Sequence, residues 1–283
     1  MTIVERALNK LRPGAEAALR KRTGTTQAKP IDPTLRLART AATLDSNACR
    51  ERRVLVSAET DEDKAYVAAY RMLRTRLLHR ARISDWTTIA VTSAGPNDGK
   101  TLTIINLALS LAREKTREIV LLDMDMRNPS VCHALGIRPR QELREYLEHG
   151  SNLDDLFVSV GAGNLLVAGS VTPTEHASEL LAGARFDELI NIVERGTVDP
   201  IVLLDLPPVL VTDDALVVAP KIDCVLLVTS EGLTNRSELL KALNLLSEFP
   251  MAGVVLNRAA ETSPDYNYGY EADSDLGASG KTN

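Results

Sequence analysis

Along much of the chain the apolar residues fall into short unbroken runs instead of alternating with polar ones. Thr87–Thr92, Glu118–Leu122, Asn164–Val167, Pro200–Leu204, Cys224–Thr229 and Gly253–Asn257 are rich in Val, Ile and Leu, the pattern of strands buried on both faces. Between them the apolar spacing lengthens to that of a helix, at Thr101–Glu114, Ala177–Glu194, Asp213–Ala219 and Ser237–Phe249. Strands alternating with helices predict an α/β fold with a doubly wound, mostly parallel sheet and ligands at the carboxyl ends of its strands. A helix is also predicted from Asp61 to about Ser84, where AYVAAYRMLRTRLL sets Ala, Tyr and Leu at helical spacing beside Arg71, Arg74 and Arg76. Further upstream, Val4–Leu19 reads as an amphipathic helix interrupted by Pro13, followed by a Thr/Pro/Arg-rich tether with Pro30 and Pro33. The chain divides accordingly into an arm at 1–58, a domain at 59–260 and a polar, Gly- and Ser-containing tail at 261–283.

Composition adds one asymmetry. With 283 residues, 44% apolar and 25% charged, the chain is long enough for one sizeable domain with extensions. The net charge is −5, yet residues 1–53 hold twelve Lys/Arg against five Asp/Glu, a balance of +7. Such an arm suits anionic lipid, nucleic acid or an acidic partner, or simply stays solvated. Cys49, Cys132 and Cys224 show neither CxxC pairing nor zinc spacing to His, which points to a reduced, cytoplasmic setting. The start MTIVERALNK lacks a signal peptide's apolar stretch, and no run approaches the roughly 18–20 apolar residues of a membrane span.

Three motifs at strand ends carry the chemistry. Ala94-Gly95-Pro96-Asn97-Asp98-Gly99-Lys100-Thr101 follows one buried run and opens the helix TLTIINLALSLA. Gly95 and Gly99 let backbone N–H groups face phosphate oxygens, the helix start adds positive dipole, Lys100 adds charge and Thr101 can ligate Mg²⁺. The expectation is a phosphate-loop NTPase domain that binds ATP. In VLLDMDMR the strand ends in Asp123 and Asp125, whose alternate positions aim both carboxylates the same way, with Arg127 two residues on. In IVLLDLPPVL, Asp205 follows an apolar strand and precedes Pro207 and Pro208, a position suited to Mg²⁺.

In order and spacing these motifs resemble the bacterial tyrosine kinases of the capsular and exopolysaccharide type. Val120 to Arg127 fits that family's three apolar residues followed by D-x-D-x-R at every fixed position, and the resemblance runs from about Tyr70 to Arg258 through AGSVTPTEHASELL and GVVLNR. The phosphate loop is also similar to that of partition and cell-division ATPases, nucleotide-switched positioning proteins. Their loop carries an extra lysine where this chain has Gly95, and its absence favours the kinase reading. The resemblance implies an ATP- and Mg²⁺-dependent tyrosine autokinase that controls chain length or export of a surface polysaccharide. Lys100 and the loop amides would hold the β/γ-phosphates, and Thr101, Asp125 and Asp205 the Mg²⁺. Asp123 would orient or deprotonate the tyrosyl hydroxyl, supported by Asp125; Arg127 would steady phosphates or aspartates; Asn257 and Arg258 would contact adenine. It further implies recruitment to the membrane's inner face by a membrane polysaccharide co-polymerase acting as activator, and no nucleic-acid partner.

Two further features bear on that reading. Tyr266, Tyr268 and Tyr270, half of the six tyrosines, lie in SPDYNYGYEAD, where an acidic, polar context offers them nothing to pack against. They are the candidate phosphate acceptors, each modification adding about −1.5 to −2 charges beside Asp265, Glu271 and Asp273. The family's oligomerisation motif E-x-x-R-x-x-R aligns with Ala68, Arg71 and Arg74. Both arginines are present but the acid is not, unless Glu62 or Asp63 replaces it from another turn. Weak homo-oligomers are the consequence.

Overall fold

The computed structural model describes residues 40–55, 60–150, 153–161 and 164–259. The helix read over Val4–Leu19 and the tail tyrosines lie outside the described residues. Eight strands form a single sheet: β1 (Thr40–Ala42), β2 (Thr88–Ser93), β3 (Ile119–Asp123), β4 (Val158–Val160), β5 (Leu165–Ala168), β6 (Ile201–Asp205), β7 (Cys224–Ser230) and β8 (Met251–Asn257). Their order across the sheet is β1-β4-β5-β3-β6-β2-β7-β8. Every pairing is parallel except β4 with β5. The doubly wound, mostly parallel sheet read from the apolar runs is therefore the fold.

Nine helices among the described residues cover the two faces: α1 (Ser46–Glu51), α2 (Asp61–Ser84), α3 (Lys100–Leu111), α4 (Val131–Leu135), α5 (Leu143–His149), α6 (Ala177–Ala182), α7 (Ala184–Gly196), α8 (Asp214–Val218) and α9 (Arg236–Leu245). Side-chain alternation sorts each strand between two cores. Ile89, Val91, Ile119 and Leu121 face the layer of α2, α3 and α4, while Ala90, Val120, Leu122 and Leu204 face α5 to α9. Runs such as TIAVTS are buried at every position for that reason. None of the described helices is long and apolar enough to cross a membrane.

Three differences from the sequence reading are instructive. The arm expected to extend to 58 gives its last part to the fold: β1 pairs with β4 at the sheet edge, and Cys49 and Val54 are buried in the core. A three-residue strand and a six-residue helix are too short for periodicity to reveal; tertiary pairing makes them. The helix read over Ala177–Glu194 is two helices, because at Gly183 the backbone swings to an extended ψ of 155° that ends α6 and starts α7. Finally, α4, α5 and β4 escape the sequence pattern, being five, seven and three residues long.

α2 matches its predicted span. Thr60 caps it by accepting from the Asp63 N–H while the Asp63 carboxylate accepts from the Thr60 N–H. Asp63 also binds Arg50 at 2.8 Å, which ties α2 to α1.

Candidate nucleotide site

The phosphate loop lies between β2 and α3, where all parallel strands of the central sheet end. Its shape comes from Asp98, which is buried and fully engaged. One carboxylate oxygen accepts from the Gly95 N–H at 2.9 Å and the other from the Thr234 hydroxyl at 2.7 Å. The Asp98 carbonyl accepts from the Asn257 side chain at 2.9 Å, and the Ser93 hydroxyl donates to the Gly95 carbonyl at 2.7 Å. Asn97 and Gly99 both take positive φ, 63° and 87°. Gly99 has no alternative: a Cβ there would meet Asn257 Nδ2 at 2.2 Å. Ala94, Pro96 and the remaining loop residues thus stand where the motif placed them. Asn257, expected at adenine, buttresses the loop, and Arg258 beside it is exposed with its N–H on the Asn257 carboxamide oxygen.

Strand register assembles the acidic half of the site. β3 and β6 are neighbours with Asp123 directly opposite Asp205, so two carboxyl groups stand side by side at adjacent strand ends. Both are fully buried. Asp123 Oδ2 accepts from the Ser130 and Val131 N–H groups at 3.0 and 2.9 Å, while Oδ1 has no hydrogen-bond partner among the described residues. Its close fit requires Gly169, where a Cβ would lie 2.8 Å from Cys132 Sγ and 3.2 Å from Asp123 Cβ. Burial, then the Asp205 charge, push the Asp123 carboxyl up to about 8. Burial raises Asp205 as well, although Lys100 and the Thr101 hydroxyl work against the rise.

Lys100 joins the two halves. Its ammonium donates to Asp125 at 2.7 Å and lies 3.5 Å from Asp205. Burial disfavours its charge, but Asp205 and Asp125 outweigh that and hold its pKa above the ordinary lysine value. The Thr101 hydroxyl donates to Asp205 at 2.6 Å, and the Ser130 hydroxyl stands 3.4 Å from Thr101. Lys100, Thr101, Asp123, Asp125 and Asp205 therefore form one contiguous cluster. Arg127 does not join it. Its guanidinium makes a bidentate contact with Asp214 at 2.9 and 3.3 Å, and reaches the Glu175 carbonyl and the Ser178 hydroxyl. It lines a cavity of about 390 Å³ with the Val209–Asp213 loop. These contacts fasten the β3 end to α6 and α8.

Whether Mg²⁺ suits these residues turns on their donors. No set of three or more His, Cys, Asp or Glu among the described residues is arranged to hold an ion by itself. Mg²⁺, however, commonly takes one or two protein oxygens and draws the rest from phosphate and water. Thr101 Oγ1 and Asp205, with Asp125 joined to Asp205 through Lys100, offer that kind of half-complete oxygen set. They fit the ion.

Comparison with known proteins agrees. The ParA family, described as NUBPL iron-transfer P-loop NTPase, matches residues 86–272. The tyrosine-protein kinase CpsD of Streptococcus pneumoniae serotype 4 is 33% identical over 178 residues, covering 60% of this chain and 75% of the relative. The chain belongs to the bacterial tyrosine kinases, on a ParA-type P-loop NTPase fold. The tyrosine-protein kinase YwqD of Bacillus subtilis is 27% identical over 78% of this chain and 92% of its own. The solved kinase domain of Escherichia coli tyrosine kinase ETK superposes with a TM-score of 0.62 at 28% identity, covering 72% of this chain and 80% of that one. Cys49, Cys132 and Cys224 are each buried and each has a raised pKa, burial being the largest cause.

Several residues that complete the site carry no motif of their own. Ser130 and the start of α4 hold Asp123, Thr234 and Asn257 hold the loop, and Asp214 holds Arg127. Ser130 sits seven residues past Asp123, and only the turn between them brings it back.

Proposed function

We propose that this chain is an ATP- and Mg²⁺-dependent protein-tyrosine autokinase that phosphorylates Tyr266, Tyr268 and Tyr270 and regulates the chain length or export of a capsular or exopolysaccharide. The observation that carries the reading is the buried Asp123–Asp205 pair facing Lys100, with Asp123 Oδ1 free to receive a hydrogen bond. Lys100 pairs with Asp125 and Asp205. ATP offers the lysine its β/γ-phosphates instead, and the loop amides surround the same oxygens. Thr101 and Asp205, with Asp125 in support, would hold Mg²⁺, which would supply charge neutralisation on the phosphates. Asp123 takes the remaining task of accepting the tyrosyl proton while the phenolic oxygen bonds to the γ-phosphorus and ADP departs.

Burial of the other tyrosines favours the tail as acceptor. Tyr146 is 4% exposed and Tyr70 is packed against the core, leaving Tyr66 as the exposed one among the described tyrosines. The activator consistent with this reading is a membrane polysaccharide co-polymerase that draws the chain to the inner face of the cell membrane.

Mass spectrometry of the purified chain incubated with ATP and Mg²⁺, beside Lys100→Met, tests the proposal. Phosphotyrosine at 266, 268 and 270 that is absent from Lys100→Met is the expected result. ATP hydrolysis without phosphotyrosine would replace this reading with a nucleotide-switched positioning ATPase, and phosphate mainly on Tyr66 would remove the tail assignment.

A further inference from the structure

The outer face of α9 bears a basic groove to which no role in the nucleotide site falls. Arg236, Ser237, Leu240, Lys241 and Asn244 recur at helical spacing on the side opposite Ala242, Leu243 and Leu246, which are buried in the core. They line a shallow cavity of about 550 Å³. Leu240, 40% exposed, forms an apolar floor between two cations, and no ion pair neutralises Arg236 or Lys241 among the described residues. The acid on this helix, Glu238, is occupied by the Asn235 N–H in the helix's capping box.

The chain outside the described residues supplies the matching occupant. β8 ends at Asn257, whose carbonyl accepts from the Glu231 N–H at 2.9 Å. The chain therefore leaves the sheet beside the loop that opens α9. Residues 260–283 hold Glu261, Asp265, Glu271, Asp273 and Asp275 against Lys281, with three tyrosines among them. Tyr266 is seven residues beyond Ala259, a reach of up to about 25 Å when extended, whereas the α9 face from Arg236 to Asn244 is only about 12 Å long.

We propose that the acidic, tyrosine-bearing tail docks in cis on this groove, its carboxylates on Arg236 and Lys241 and a tyrosyl ring over Leu240. Phosphorylation strengthens the docking, because each phosphate adds about −1.5 to −2 charges and Arg binds phosphate through paired hydrogen bonds. The groove thereby withdraws modified tyrosines from the kinase site. This dependence on phosphorylation rests on the kinase reading; the charge-matched docking does not.

The test replaces Asn244 in the full chain with the photo-cross-linker p-benzoyl-phenylalanine and maps the cross-links by mass spectrometry. Cross-links to residues 260–283 of the same chain are expected, more abundant after incubation with ATP and Mg²⁺. The yield should fall roughly tenfold in Arg236→Glu/Lys241→Glu, from the loss of two exposed ion pairs and the repulsion that replaces them. Adding Glu271→Lys/Asp273→Lys to that variant should restore it. Cross-links to a second copy, to no part of the tail, or in a yield indifferent to both charge reversals would overturn the proposal. Tail cross-links in protein that still carries no phosphotyrosine after incubation with ATP and Mg²⁺ would uphold the groove and sink the kinase reading instead.

Discussion

Asp123 is the residue whose chemistry depends most on its surroundings. As one member of D-x-D it reads as an ordinary carboxylate, but burial beside the Asp205 charge pushes its pKa up to about 8, close enough to neutral pH that the ionised form able to accept a tyrosyl proton is within reach. The consequence for stability has a definite sign. Its folded pKa lies above the unfolded value, so the folded state binds the proton more tightly, and stability present at low pH is lost as pH rises toward 8. Asp123→Asn removes that loss while its amide oxygen can still accept from Ser130 and Val131. The variant should gain more in Tm over the wild type at pH 8 than at pH 5, measured without nucleotide by thermal unfolding. Equal gains at both pH values would show that Asp123 ionises normally. Gly99 allows a second test at this scale. Gly99→Ala faces positive φ, costing about 1–2 kcal/mol for an L-residue, together with a collision with Asn257. Gly95→Ala meets nothing closer than 3.9 Å. Gly99→Ala should therefore lower Tm clearly and abolish ATP binding in calorimetry, whereas Gly95→Ala should leave Tm nearly unchanged.

Among the elements, α3 does more than present the phosphate loop. Asn106, on its buried side, donates to the Arg53 carbonyl at 3.1 Å and accepts from the Leu55 N–H at 2.8 Å. One side chain thus fastens the end of the 40–55 segment to the nucleotide-binding helix. Arg74 does the same for α2, donating to the Ser110 carbonyl at 2.9 Å and pairing with Glu114 at 3.2 Å. Each such hydrogen bond contributes about 1 kcal/mol, and unpaired backbone groups cost more. Asn106→Leu should lower stability by about 2–3 kcal/mol in urea unfolding. It should also make residues 40–55 the first site cut in limited proteolysis. A variant cut first elsewhere would show that β1 pairing alone holds the segment.

For the whole molecule, the face of α2 bears on self-association. Ala68 and Arg71 are exposed on α2, while Arg74 is engaged within its own chain and Asp63 holds Arg50 and the helix cap. Asp63 is thereby engaged within its own chain. Ala68→Glu should shift the chain toward larger species in light scattering, more at low salt, because exposed charges are screened within about 10 Å at 0.1 M. A stable large ring from the unmodified chain would show that other contacts assemble it.

The sheet and the phosphate loop were legible because they are local facts. A run such as IVLLD can be buried on both faces only in a parallel sheet under helices, and Gly99-Lys100-Thr101 between strand and helix leaves phosphate little competition. The same holds for α2, whose cap and periodicity both lie within its own sequence. What the sequence could not settle was which strands are neighbours. Register alone sets Asp123 against Asp205, and their shared burial, not their identity, raises both pKa values. Tertiary contact likewise turned Asn257 toward the loop and Arg127 toward Asp214, and drew residues 40–55 out of the expected arm onto the sheet edge. Hydrogen bonds spanning 159, 87 and 53 residues made those choices. Local pattern carries no information at such separations, since only closure of the whole core brings the partners within reach.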